Sequence, residues 1–468
     1  MMDYPDPPFN PPQIFPEYTF SKEDLDPQNF VYEGVRELFH ILELDIKNYG
    51  KANWNPLKGI IHPNQTVLIK PNFVISKHRK MGNKKIAIFS AITHGSVLRA
   101  IVDYAFLSVG KNGRIIIGDA PMLWEDFDKI MELNGINAMI QYLRDFGVPI
   151  ETVDFRDHLL TFEGDLVKQK GDPSGYTVID LKNSSEFRNV SEYYQNYRFP
   201  FYKSNEQVIL HHNRRKNEYS IANTVLNSDC VISVAKLKTH RKAGVTLSLK
   251  NFVGITNMRE WLPHHRLGAP PQGDECPVKC NKRSLVDITL DRLYSSKLLS
   301  RTSKIIFGER YLEIWSSLVN LLKKDDESSI EDGSWYLNDT TWRMVLDLNK
   351  ILFYAGSDKK MHRTQQRKYM SIIDGIIAGE GEGPLESEPK KSGVLIGGFD
   401  PVATDTIAAK VIGVNPALIP TIKNTSSIKD YPLGTNSLSK IKVLSNISQL
   451  PNLYLRLPSG WKNVKIKN

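Results

Sequence analysis

Short apolar, β-branched runs recur along the chain, and each stops abruptly in charged residues. Val67-Leu68-Ile69 precedes Lys70, Ile115-Ile116-Ile117 leads to Asp119, Val231 to Ala235 precedes Lys236, and Ile372-Ile373 precedes Asp374. Runs that are apolar at every position, not at alternate ones, fit strands buried on both faces of a parallel sheet. Between them the spacing changes to three and four. Val31, Val35, Leu38, Phe39, Leu42 and Ile46 predict a helix within 24–46. A second helix is expected from Ser96, as N-cap, to Gly110, as terminator. "YLEIWSSLVNLLKK" and "TWRMVLDLNKILFYA" predict helices within 300–365, and another follows a turn at Asp400-Pro401 and ends at Gly413.

Strands alternating with helices predict an α/β protein with a mainly parallel sheet flanked by helices, arranged as two lobes with a cleft between them. Residues 1–50 form a Pro-rich N-terminal arm and a helix. Residues 51–270 are expected to form a first α/β lobe, with an insertion near 155–215 where aromatic and polar residues replace the strand pattern. Residues 271–468 then form a second α/β lobe with a helical segment and a basic C-terminal tail.

Open α/β sheets place ligands at the carboxyl ends of their strands. Lys70, Asn72, His94, Asp119, Lys236 and Lys238 all fall at such ends or at helix starts, and they are the expected substrate-binding residues. His240, Lys250 and Asp374 are the expected catalytic residues, with His240 as acid/base and Lys250 as nucleophile or tether within an apolar context. His264 and His265 are candidate metal ligands, since imidazole suits nickel, zinc or iron. Gly375, Gly379, Gly381 and Gly383 lack the order of a dinucleotide fingerprint, and the stretch reads as a Gly/Glu loop after a strand that ends at Asp374-Gly375.

Net charge is +9, which favours an anionic ligand. No helix-turn-helix or zinc-finger pattern carries sequence-specific nucleic-acid binding. With three cysteines the chain holds neither a disulfide framework nor a four-cysteine cluster, and Cys276 and Cys280 are spaced CxxxC, one residue off the usual metal spacing. The first residues lack a leader pattern and no window is long and apolar enough for a membrane helix, so a cytoplasmic protein is expected.

The stretch "SDCVISVAKLKTHRKAGVTLSLKNFVGI", with "VLIKPN" upstream and "IIDGIIAGEGEGP" and "FDPVATDTIAAKVIG" downstream, resembles the bacterial and archaeal family called domain of unknown function (DUF) 362. Some members of that family are associated with ferredoxin-type domains, which implies a possible ferredoxin-like partner. The order His240, Gly244, Lys250, His264, His265 is more weakly similar to the lactate racemase family, whose lysine tethers a nickel-pincer nucleotide. That resemblance implies a metal or a nickel-pincer-like nucleotide as cofactor; the racemase's glycine-rich turn is here Val245-Thr246-Leu247-Ser248, and its second catalytic histidine has no counterpart.

These readings converge on an enzyme for a small anionic metabolite, carboxylate or phosphorylated, working by racemase- or epimerase-like proton or hydride transfer. An oxidoreductase linked to an iron–sulfur partner, and a non-catalytic binding protein for a phosphorylated metabolite or glycan precursor, are the alternatives. Substrate and oligomeric state are not written in the sequence.

Overall fold

A computed structural model describes residues 4–20, 23–161, 166–200, 205–277 and 332–464. The window "YLEIWSSLVNLLKK" and Cys280 lie outside the described residues. We number the elements of the central sheet and the helices that cover it. They are α1 (Phe30–Ile41), β1 (Thr66–Pro71), α2 (Gly95–Val109), β2 (Arg114–Asp119), β3 (Ile150–Asp154), β4 (Cys230–His240), β5 (Gly244–Thr246), α3 (Ser248–Asn251), α4 (Thr341–Tyr354), β6 (Lys368–Glu382), β7 (Glu386–Gly398) and α5 (Pro401–Ile412).

The seven strands form one sheet in the order β7-β6-β4-β1-β2-β3, with β5 paired to β4. Its interior is parallel: β4 lies between β1 and β6, and β2 lies between β1 and β3. Only β7 and β5 run antiparallel to their neighbours. The chain is therefore α/β with a mainly parallel sheet flanked by helices.

Both faces of the sheet are covered, which is why its strands read as unbroken apolar runs. Val67, Ile69, Ile115, Ile117, Ile232, Val234 and Ile372 pack in one core with Val35 and Phe39 of α1 and with Val97, Ile101 and Ala105 of α2. Leu68, Ile116 and Val231 point the other way, into a core shared with Leu249 of α3 and Val345, Leu348 and Leu352 of α4.

Four expectations are corrected here. Strands from either side of residue 270 pair within this one sheet, since β6 lies directly beside β4, so the sheet does not divide there into two lobes. β4 does not end before its bases: it continues through Lys236, Lys238 and His240, and all of its residues are buried. β6 likewise runs past Asp374 to Glu382 and turns back as β7, so the Gly/Glu stretch is strand with a register slip between Asp374 and Gly379. The cap of α2 is His94, whose side chain accepts from Ser96 N, while Gly110 ends the helix at φ 71° as expected.

The Pro-rich arm belongs to the body. Phe9, Phe15, Tyr18 and Phe20 are buried in the first core. Asn29, the cap of α1, donates its side-chain amide to the Phe9 and Asn10 carbonyls at 2.9 and 2.7 Å, and Arg99 of α2 donates to the Pro8 carbonyl at 2.7 Å. Satisfied buried carbonyls of this kind fix the path of an irregular segment.

Candidate functional site

The bases at the carboxyl ends of the strands divide into two sets. In the first, each base has a carboxylate. Lys70 Nζ donates to Asp119 Oδ1 at 2.6 Å and to the Pro71 carbonyl at 2.7 Å, and neither side chain is more than 2% exposed. Asp119 also accepts from the backbone N–H groups of Phe73 and Ala120. Gly254 closes over this pair: a Cβ there would stand 2.0 Å from Asp119 Oδ1 and 2.9 Å from Lys70 Nζ.

Lys236 has the second carboxylate. Its Nζ donates to Asp374 Oδ2 at 2.9 Å, and the register of β4 and β6 sets these two residues opposite each other. Asp374 accepts further bonds from the N–H groups of His94 and Ile376 and from the hydroxyl of Tyr4. The expected common edge is real in part, because Asp374, Lys236 and His94 meet here. Two of its charges nevertheless face each other, since Lys236, an expected substrate-binding residue, is ion-paired with Asp374, an expected catalytic one. His94 serves as a helix cap with its ring against Tyr4. Asn72 bridges to Asn251 Oδ1 at 3.2 Å, and Asn251 in turn donates to the Lys70 carbonyl and Ser233, so Asn72 belongs to the frame that fixes α3.

The second set has no ion-paired carboxylate among the described residues, though Asp332, Asp274 and Glu275 act on Lys242 through space and Asp119 and Asp154 on Arg259. Among the described residues Lys238 donates to the Ala91 carbonyl alone. Burial lowers its pKa well below the lysine range, and the neighbouring Lys250 and Lys236 lower it further. Lys250, on α3, makes no hydrogen bond among the described residues, and burial together with Arg259 brings its pKa down to about 7. Asp405 of α5 places it: the Asp405 carboxylate accepts from the N–H groups of Ser248 and Leu249, the first residues of α3, at 2.8 and 3.0 Å. Arg259 donates to the Ala120 carbonyl, but its Nε is buried without a hydrogen-bond partner among the described residues. Lys242 Nζ is in the same condition, and burial takes its pKa to about 8.

Two histidines complete this group, in different protonation patterns. His240 Nδ1 accepts from the backbone N–H groups of Lys242 and Ala243 at 3.1 and 3.3 Å, which leaves its one proton on Nε2. His264 Nδ1 lies 2.9 Å from the Leu262 carbonyl, so Nδ1 carries the proton and Nε2 keeps its lone pair. Burial depresses both pKa values strongly, and the Lys250 charge depresses them further, so both rings are neutral at pH 7.

The histidine pair does not act as one chelate. His264 lies within electrostatic reach of His240 and Lys250. His265, its neighbour in a short strand, has its ligand atom within 4.8 Å of those of Glu275 and Asp332, a nitrogen and two carboxylates of the types a divalent cation accepts. Cys276 is disulfide-bonded, and Cys230 is the free cysteine among the described residues. No helix among the described residues is long and apolar enough to cross a membrane.

Arg259, Lys242, Gly254 and Tyr4 escape a reading of strand ends, since Gly254 and Arg259 lie in short 3-10 turns, Lys242 in the turn after β4, and Tyr4 in the arm. The clustering of bases after "VISVA" was the available signal for the first two.

A family model described as domain of unknown function (DUF362) matches residues 171–410, just over half of the chain. The thylakoid-associated protein sll1697 of Synechocystis sp. is 40% identical over 53 residues, which are 11% of this chain and 16% of that protein. The chain therefore spans only a small part of that curated relative. A crystal structure of a Thermotoga maritima protein is similar with a TM-score of 0.32 and 10% identity, over 88% of this chain and 61% of the other.

Proposed function

The chain belongs to the DUF362 family, a name that states no reaction, and we propose from the site itself that it is an enzyme for a small anionic metabolite, moving a proton at a carbon beside a carboxylate or carbonyl. The observation that carries this reading is the set of bases with no ion-paired carboxylate among the described residues. Lys238, Lys242, Lys250 and Arg259 are gathered around two neutral imidazoles, and Arg259 Nε and Lys242 Nζ are buried with no acceptor among the described residues. Burying like charges together is costly unless a ligand of opposite charge completes them. A small anion fits that requirement.

Within this reading the roles of the histidines follow from their tautomers. His240 offers an Nε2–H and is therefore a donor to the anion, whereas accepting a proton at Nδ1 would set it against two backbone N–H groups. His264 keeps a free lone pair at Nε2 and is the better general base. Lys250, with a pKa of about 7, is present partly as the free amine at neutral pH and is the second candidate for proton transfer. This differs from the sequence expectation, which gave the acid/base role to His240.

The test has two parts. Calorimetric titration with inorganic phosphate, sulfate and small 2-hydroxy acids should show binding that Lys250→Met and Arg259→Met each weaken at least tenfold. Incubation of the acids that bind in deuterated water should then place deuterium beside the carboxylate, with the rate lost in His264→Ala and largely kept in His240→Asn. Absence of anion binding would end the proposal. Binding without exchange for any acid would leave a binding protein in place of an enzyme.

A further inference from the structure

Tyr4 packs against the edge of the first core, beyond the part of the arm that hydrogen bonds fasten. From Pro8 onward the arm is fastened, by the bonds from Arg99 and Asn29 and by the buried ring of Phe9. Residues 5–8 are exposed or only partly buried, Asp6 and Pro7 being the exposed pair, although Pro7 touches Gly135. Tyr4 then turns back inward. Its hydroxyl donates to Asp374 Oδ1 at 2.7 Å and accepts from Lys236 Nζ at 2.9 Å. Its ring lies on the His94 imidazole, with centroids 3.8 Å apart and planes within 9°, and Phe89 meets it edge-on at 5.7 Å.

We infer that this slot is a second subsite of the ligand site, shaped for a planar ring or conjugated group that bears a hydroxyl, and that Tyr4 is its internal occupant. Each wall reads one feature of such a group. The face of His94 and the edge of Phe89 select flatness. The Asp374 carboxylate accepts from a hydroxyl while the Lys236 ammonium donates to the same oxygen, a pairing that an apolar group leaves unsatisfied on both sides. The slot adjoins the unpaired bases: Lys236 and Lys238 stand two residues apart on one face of β4, and Lys238 lies within electrostatic reach of both Lys236 and Lys250. Residues 5–7, of which Pro5 is partly buried and Asp6 and Pro7 are exposed, lie between the slot and the anchor at Pro8 and are the segment about which Tyr4 would swing out.

This inference rests on the proposed anion site for the slot's being part of a ligand site, so the probes separate the two. p-Cresol is the tyrosine side chain without charge, toluene is the same shape without the hydroxyl, and inorganic phosphate reports on the unpaired bases alone. In Tyr4→Ala, p-cresol should bind saturably, raise the melting temperature, and bind at least tenfold more tightly than toluene. Phosphate affinity should stay within about twofold of wild type. In wild type labelled with 3-fluorotyrosine, the Tyr4 fluorine line, assigned by its loss in Tyr4→Phe, should move toward the position of a solvent-exposed tyrosine as p-cresol is added. Should Tyr4→Ala not fold, removal of residues 1–7 gives the same comparison. Equal binding of toluene and p-cresol would reduce the slot to an apolar packing hole and overturn the inference. So would a Tyr4 line that stays fixed at p-cresol concentrations a hundredfold above those that saturate the variant. Failure of phosphate alone, with p-cresol behaving as stated, would instead remove the anion reading and leave the slot without a ligand site to belong to.

Discussion

Replacing Lys250 by Met should stabilise the fold and abolish anion binding at once. Met keeps the length and flexibility of the lysine stem and removes the charge. The lysine pKa falls from 10.5 to about 7 in the folded protein, mainly through burial and then through Arg259. At about 1.4 kcal/mol per unit, complete isolation from water would make this about 5 kcal/mol of destabilisation. Lys250 keeps some solvent contact, so we expect about 1–3 kcal/mol to be realised. The sign with pH follows from linkage. Below pH 7 both folded and unfolded chains carry the ammonium, and the full penalty is present. Between pH 7 and about 10.4 the unfolded chain holds a proton that the folded one has released, so wild-type stability rises with pH. The gain of Lys250→Met should therefore be largest at pH 6 and nearly gone at pH 10. Urea unfolding of both proteins at pH 6.0, 7.5 and 9.5 measures this directly. Repeating it with phosphate should stabilise wild type and leave the variant unmoved, because only a state that binds ligand is stabilised by it. A variant less stable than wild type at pH 6, or a gain independent of pH, would refute the claim that Lys250 is a strained, unpaired charge.

The paired bases should behave in the opposite way. Gly254→Ala forces a methyl against Asp119 and Lys70 and should cost about 3–5 kcal/mol in chemical denaturation, as breaking a buried ion pair does. Lys236→Met leaves Asp374 buried with only dipolar donors and should lose a similar amount, with no gain at low pH of the kind expected for Lys250. Sulfate, whose charge is constant over this range, should bind less tightly as pH rises through 7, because Lys250 loses its proton there; an affinity equal at pH 6 and pH 8.5 would exclude Lys250 from the anion site.

The sheet was legible because burial on both faces leaves a local mark: Val67 to Ile69 and Ile115 to Ile117 are apolar at consecutive positions, as is Val231 to Ala235 but for Ser233, and all occupy the interior strands. The extension of β4 to His240 was hidden for the converse reason. A lysine inside a buried strand is rare, and a run of them reads as the strand's end. What neutralises Lys236 is not local either. Asp374 is 138 residues away and Tyr4 is 232 away, while Lys70 and Asp119 are 49 apart. A one-dimensional pattern lists the charges of a strand edge but not their pairing, so Lys236 and Lys238 looked alike.

Why they differ can be traced to the strand beside them. Asp374 of β6 stands opposite Lys236, and in an unbroken register Ile376 would stand opposite Lys238. The ladder instead slips, and Gly379 takes that place. A side chain there would collide, since a Cβ on Gly379 would stand 2.4 Å from the Ser90 carbonyl and 2.8 Å from the Lys238 Cβ. The neighbour across the other edge of Lys238 is Thr246 of β5, whose hydroxyl has no hydrogen-bond partner among the described residues. Neither strand thus offers Lys238 an acid, and the unbroken register would not either, since it would set Ile376 there. Bulges re-aim side chains next to functional sites. Here the slip seats the uncharged backbone of Gly379 against Lys238, so this lysine, unlike Lys236 on the same face of β4, has no ion-paired carboxylate across the ladder among the described residues.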